Sequence, residues 1–142
     1  GYVMTLGGCP LIWSSKLQTE ISLSTLEAEY IALSSAMREL LPLKRILKEI
    51  GKEVSESLSE KATLSSTIFE DNNGSITLSL APKMTPRTKY IAIKYHWFRS
   101  HIGEKQGVVI SRIESENQKA DIFTKGLSED TFYRIRKLLL GW

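Results

Sequence analysis

Cysteine is almost missing from this sequence. Its single example, Cys9, cannot close an internal disulfide or build a multi-thiolate zinc site, which points to a reducing compartment. Histidine occurs only twice. His96 and His101 are five residues apart, about 140° around a helix, so they cannot jointly hold one metal. A thiol site pairing Cys9 with either histidine is disfavoured, because Cys9 stands beside a glycine turn. No apolar run approaches the roughly 18 residues of a membrane span. The opening Gly1-Tyr2-Val3-Met4-Thr5-Leu6 lacks the basic and apolar regions of a signal peptide. It also lacks an initiator methionine and begins inside an apparent strand, which leads us to expect a piece of something longer. There is no phosphate-cradling glycine loop, dinucleotide fingerprint, internal repeat or low-complexity tract.

What is present suits one folded domain over 1–142. The chain is 42% hydrophobic and 25% charged, which excludes wholesale disorder and a collagen-like or disulfide-rich scaffold. Net charge is only +3, but it is uneven. Lys83 to Lys105 carries six basic residues against Glu104 alone, and holds Tyr90, Tyr95, Trp97 and Phe98. Basic groups that neutralise phosphates, interleaved with stacking faces, fit a nucleic-acid footprint. A surface helix with a solvated basic face is the plainer reading, and composition alone favours it.

Tyr2–Leu6 and Leu11–Ser15 read as strands joined by Gly7-Gly8. Ser24 caps a helix in which Glu27 reaches back to the cap amide. Leu26, Tyr30, Leu33, Met37, Leu40 and Leu41 form its apolar stripe, and Pro42 predicts a kink or break. Gly51–Ala62 reads as a loop and Thr63–Glu70 as a strand. Asp71-Asn72-Asn73-Gly74 turns into a short helix through Leu80. Ile91, Tyr95, Phe98 and Ile102 place an amphipathic helix over about 88–102. Val108–Ile113 is the last strand. Ser115 opens a helix through Thr124, and Ser128 caps a final helix whose charges follow the macrodipole. The pattern is mixed α/β.

Three carboxylates resist a purely solvated role. Glu29 projects at the edge of the apolar stripe, where a carboxylate is costly unless something cationic meets it. Asp71 stands at the carboxyl end of a strand, where open α/β sheets bind ligands. Asp121 lies early in a short helix, with Lys125 at i+4 as its plain surface partner. Each has a structural explanation taken singly. As a set they could converge. Clustered carboxylates repel and need a cation, and oxygen-only ligands suit Mg²⁺ or Mn²⁺. Two such ions are the usual machinery for phosphodiester hydrolysis.

The order of motifs is distinctive. Pro10-Leu11-Ile12-Trp13-Ser14-Ser15-Lys16-Leu17-Gln18, Leu23-Ser24-Thr25-Leu26-Glu27-Ala28-Glu29-Tyr30-Ile31-Ala32-Leu33 and Glu70-Asp71-Asn72-Asn73-Gly74 come first. Arg87-Thr88-Lys89-Tyr90-Ile91-Ala92-Ile93-Lys94-Tyr95-His96 and Lys119-Ala120-Asp121-Ile122-Phe123-Thr124-Lys125 follow. Together they resemble the ribonuclease H domain of copia-type LTR retrotransposon (reverse transcriptase) polyproteins, over essentially the whole chain. The resemblance implies an α/β, ribonuclease H-like fold: a five-stranded mixed sheet flanked by helices. It implies cleavage of the RNA strand of RNA–DNA hybrids with four acids and two Mg²⁺ ions, which Mn²⁺ can replace. Glu29, Asp71 and Asp121 match the family's catalytic and metal-binding acids, Glu27 keeping its capping role. Arg87, Lys89, Lys94 and Arg99 fall on the segment that would steady the hybrid. The reverse transcriptase portion of the same polyprotein is the implied partner. The implied setting is intracellular, in the cytoplasmic particle of a retroelement, with no membrane.

Two departures stand out. The family's first catalytic aspartate lies on a strand upstream of Gly1. That strand is the centre of the sheet, between Tyr2–Leu6 and Thr63–Glu70. We therefore expect a domain truncated at its N-terminus, its inner strands leaving buried backbone groups unpaired at roughly 1–3 kcal/mol each. Some cellular relatives also carry a histidine before the last aspartate, and Ser111–Ala120 has none. The alternative is a degenerate, non-catalytic remnant able at most to bind nucleic acid or a partner.

Overall fold

The computed structural model describes residues 1–54, 64–83, 91 and 93–142. Strands β1 (Tyr2–Leu6) and β2 (Cys9–Ser14) pair antiparallel across Gly7 and Gly8. Both glycines hold positive φ, 58° and 87°, which this hairpin turn needs and a side chain resists. The register shifts between Met4 and Thr5, opposite Pro10. Proline has no amide to offer the ladder, and an irregularity absorbs that.

Helix α1 spans Thr25–Val54. The Ser24 hydroxyl accepts the Glu27 amide at 3.2 Å, as the capping pattern predicts. The Glu27 carboxylate accepts the Leu23 amide at 2.7 Å, one residue before the expected cap amide. The break expected at Pro42 does not occur: the helix runs through it for 30 residues. Pro42 and Arg38 are both exposed, so the carbonyl that loses its donor faces water, which meets part of the cost. The buried residues of α1 all precede Pro42, so its second half is peripheral. It also absorbs Gly51–Val54, the start of the expected loop, whose residues 55–62 lie outside the described ones.

Strands β3 (Ser66–Glu70) and β4 (Val108–Arg112) pair parallel, in register from Ser66 opposite Val108 to Glu70 opposite Arg112. Helix α2 (Asn73–Leu80) follows β3, and Asn72 Oδ1 accepts the Ser75 amide at 3.0 Å. Gly74 lets α2 approach α1 closely, since a Cβ there would lie 2.5 Å from Leu26 Cδ1.

Two expected helices are corrected. Over 88–102 the described residues form 3-10 turns, Ile93–Tyr95 and Trp97–His101, divided at His96. Residues 88–90 and 92 lie outside the described ones. The inward face is as read, because Ile91, Tyr95 and Phe98 are buried and Ile102 packs against them. A spacing of three keeps Tyr95 and Phe98 on one side of a 3-10 turn. Ser115–Thr124 is likewise two 3-10 turns, Ser115–Asn117 and Lys119–Phe123, without side-chain caps. Asn117 instead accepts Arg134 Nη1 at 3.0 Å, spending that side chain on α3 (Glu129–Leu140). Ser128 precedes α3 but bonds the Thr131 hydroxyl rather than an amide.

The architecture is mixed α/β. Among the described residues the strands form two separate pairs, β1–β2 and β3–β4, not one sheet. A cavity of about 1150 Å³ has Gly1–Leu6 on one wall and Leu64–Asp71 on the other. Ala28, Ala32, Leu33, Ala36, Leu40 and Leu43 of α1 also line it. Tyr30, Met37, Ile91, Phe98 and Val108 are wholly buried and form the centre of the core.

Candidate active site

The capping box fixes where α1 starts, and wholly buried Tyr30 fixes its rotation. Glu29 then shares a face with Ala32, Leu33 and Ala36, at i+3, i+4 and i+7, and all line the cavity. Asp71 follows the last residue of β3, just before the Asn72 cap. Asp121 sits in the turn Lys119–Phe123, which bridges the two strand pairs. On one side Gln118 Nε2 donates to the Phe69 carbonyl at 3.1 Å. On the other, the Ser15 hydroxyl donates to the Phe123 carbonyl at 2.6 Å.

Glu29, Asp71 and Asp121 thus come from three remote elements to one cavity. Burial pushes the Glu29 carboxyl above its ordinary range, and the charges of Asp71 and Asp121 push the same way. Lys125 and the Gly1 amino group oppose them. Lys125 Nζ lies 2.9 Å from Asp121 Oδ2, so the plain i+4 pair read from the sequence is present. Burial pulls the Lys125 ammonium down, but the Asp121 bond and the charges of Asp121, Asp71 and Glu29 leave it raised.

Glu70 was not singled out by sequence reasoning, although it lines the same cavity. Burial is the main cause that raises its carboxyl to about 7; Glu29 and Asp71 add to it, while the Asn72 and Asp71 amides hold it back. The signal was available: strand alternation from Ile68 puts Glu70 on the inward face.

Among the described residues, no three His, Cys, Asp or Glu groups close into a ligand set for one ion. The carboxylates line one cavity from three elements without closing on a single point. Their chemistry nonetheless fits a hard divalent cation, being oxygen-only and mutually repulsive.

The four basic residues read as a hybrid contact fare unevenly. Arg87 and Lys89 lie outside the described residues. Lys94 is ion-paired with Glu20, itself on the cavity lining, which puts Lys94 at the rim. Arg99 faces a second cavity of about 550 Å³ with His96, Trp97 and Ser100. Neither histidine approaches Cys9 in any hydrogen bond. His96 bonds the Tyr30 hydroxyl at 2.8 Å, and His101 the Ser100 hydroxyl at 3.1 Å.

The chain is 32% identical over 139 residues to the retrovirus-related Pol polyprotein from transposon TNT 1-94 of Nicotiana tabacum, an alignment covering 98% of it. The retrovirus-related Pol polyproteins from transposons RE1 and RE2 of Arabidopsis thaliana are each 32% identical over 132 residues, 93% of the chain. The chain spans about a tenth of the length of these relatives: 10% of the first and 8% of the others. No protein-family model and no solved structure matches it. Its homologues are thus segments of retrotransposon Pol polyproteins, which supports a retroelement polyprotein origin. Among the described residues no helix is long and apolar enough to cross a membrane.

Proposed function

We propose that this segment of a retroelement polyprotein belongs to a ribonuclease H domain that cuts the RNA strand of RNA–DNA hybrids. The observation that carries the reading is that Glu29, Asp71 and Asp121 all line one cavity. Glu29 and Asp71 would hold one divalent ion and Asp121 would complete a second site. Bound there, Mg²⁺ or Mn²⁺ supplies an activated water and charge stabilisation for the leaving 3′ oxygen.

The chain's own residues do the rest. The capping box and Tyr30 hold Glu29 toward the cleft, and the Asn72 cap fixes Asp71 at the strand end. Gln118 and Ser15 hold the Asp121 turn across both strand pairs. Lys94 and Arg99, with Arg87 and Lys89, would meet phosphates of the hybrid. Preference for a hybrid would come from groove width and RNA 2′-hydroxyls rather than from base sequence. The reverse transcriptase portion of the polyprotein is the proposed partner, in a cytoplasmic particle.

One observation favours the second reading, a non-catalytic remnant. Among the described residues β1 pairs only with β2 and β3 only with β4, and the cavity lies between them. Incubating an RNA–DNA hybrid and Mg²⁺ with the chain extended upstream along its polyprotein separates the two. The enzyme reading expects RNA-strand cleavage that falls at least about a hundred-fold in Asp71→Asn, the scale of losing a preorganised electrostatic partner. Hybrid binding without cleavage would select the remnant.

A further inference from the structure

We infer that Lys125 is the internal counter-cation of the carboxylate cleft, balancing its charge in the metal-free chain and leaving when a divalent ion enters. The second half rests on the metal reading above; the first does not.

Asp121 is a poor candidate for an ordinary surface pair. Its side chain is 12% exposed, and Glu29, Glu70 and Asp71 line the same cavity. Buried like charges need compensation, and Lys125 supplies it from within the cleft lining. The Lys125 amide donates to the Asp121 carbonyl at 2.9 Å, and that helical turn stacks the two side chains. Lys125 lines the same cavity as Glu29, 96 positions away in the sequence, which a local i+4 pair does not require.

Two further features fit a displaceable cation. The Lys125 side chain is 47% exposed, so its flexible stem can swing into solvent without opening the core. An ammonium also offers three donors on a stem rather than a ring of coordination sites. It can neutralise neighbouring carboxylates without drawing them to a point, and among the described residues no three acids close on one.

The test combines two measurements on the chain. Calorimetric Mn²⁺ titration compares the natural sequence with Lys125→Met, which keeps the stem and removes the charge. Urea denaturation without metal then runs Lys125→Met and Asp71→Asn singly and together. We expect Mn²⁺ to bind Lys125→Met about five-fold or more tighter, the lower end of typical coupling between competing sites. The cycle should be non-additive, with loss of Lys125 lowering the urea midpoint less once Asp71 is neutral. An additive cycle overturns the counter-cation and equal Mn²⁺ affinity overturns its displacement, and either result leaves metal binding intact. Failure of both chains to bind Mn²⁺, with a non-additive cycle, overturns the metal reading and displacement but upholds the counter-cation.

Discussion

His96 shows at the scale of one residue how a motif can be recognised while its role goes unread. Its Nε2 lies 3.3 Å from the Ile91 carbonyl, which can only accept, so the proton sits there and Nδ1 accepts from the Tyr30 hydroxyl. Burial, with Arg99 adding to it and the Ile91 bond opposing it, holds this imidazole below the ordinary 6.5. The unfolded chain then binds the proton first as pH falls. His96 therefore contributes stability that is complete above about pH 6.5 and declines below it. Urea midpoints at pH 7.5 and 5.5 should show the advantage of the natural chain over His96→Gln shrinking in acid; an unchanged advantage contradicts this. Glu29 was legible because an acid beside an apolar stripe is costly. Asp121 and its Lys125 partner were legible from an i+4 spacing. Glu70 was passed over because it stands beside Asp71, and only alternation along β3 tells them apart.

Elements built on long periodic stretches were readable, and those decided by a few contacts were not. The hairpin, α1, β3, α2 and β4 follow turn glycines, caps and stripes. The 3-10 turns around His96 and Asp121 do not, because a stripe does not distinguish 3-10 spacing from α-helical spacing over so few residues. Their geometry is set by distant partners: Tyr30 on His96, Ser34 on Trp97 at 3.2 Å, and Gln118 on β3. Pro42 illustrates the opposite error, a local rule overridden. The helix passes through because packing before it and solvent around it make continuation cheaper than a break. Pro42→Ala should restore the missing donor and stabilise the chain by about 1–3 kcal/mol. A urea midpoint that stays put or falls would show that the proline is not strained in its helix.

For the molecule as a whole, the sequence told more about what lines the centre than about how it is closed. Periodicity gave an α/β pattern but could not pair strands, since pairing is set by contacts far apart in the chain. The expected truncation at a central strand rested on resemblance. Among the described residues the strands form two separate pairs with the cavity between them. The Asp121 turn spans that gap by bonding to both sides, so the carboxylates share one cleft across divided sheets. Whether that cleft grips a cation is the claim on which the functional account turns. Anomalous diffraction from crystals of the chain soaked in Mn²⁺ addresses it most directly. The account predicts a manganese peak bounded by carboxylate oxygens of Glu29, Asp71 and Asp121, with the Lys125 ammonium moved away from Asp121. Saturating Mn²⁺ that leaves this cleft empty, with the Lys125–Asp121 pair intact, would contradict it.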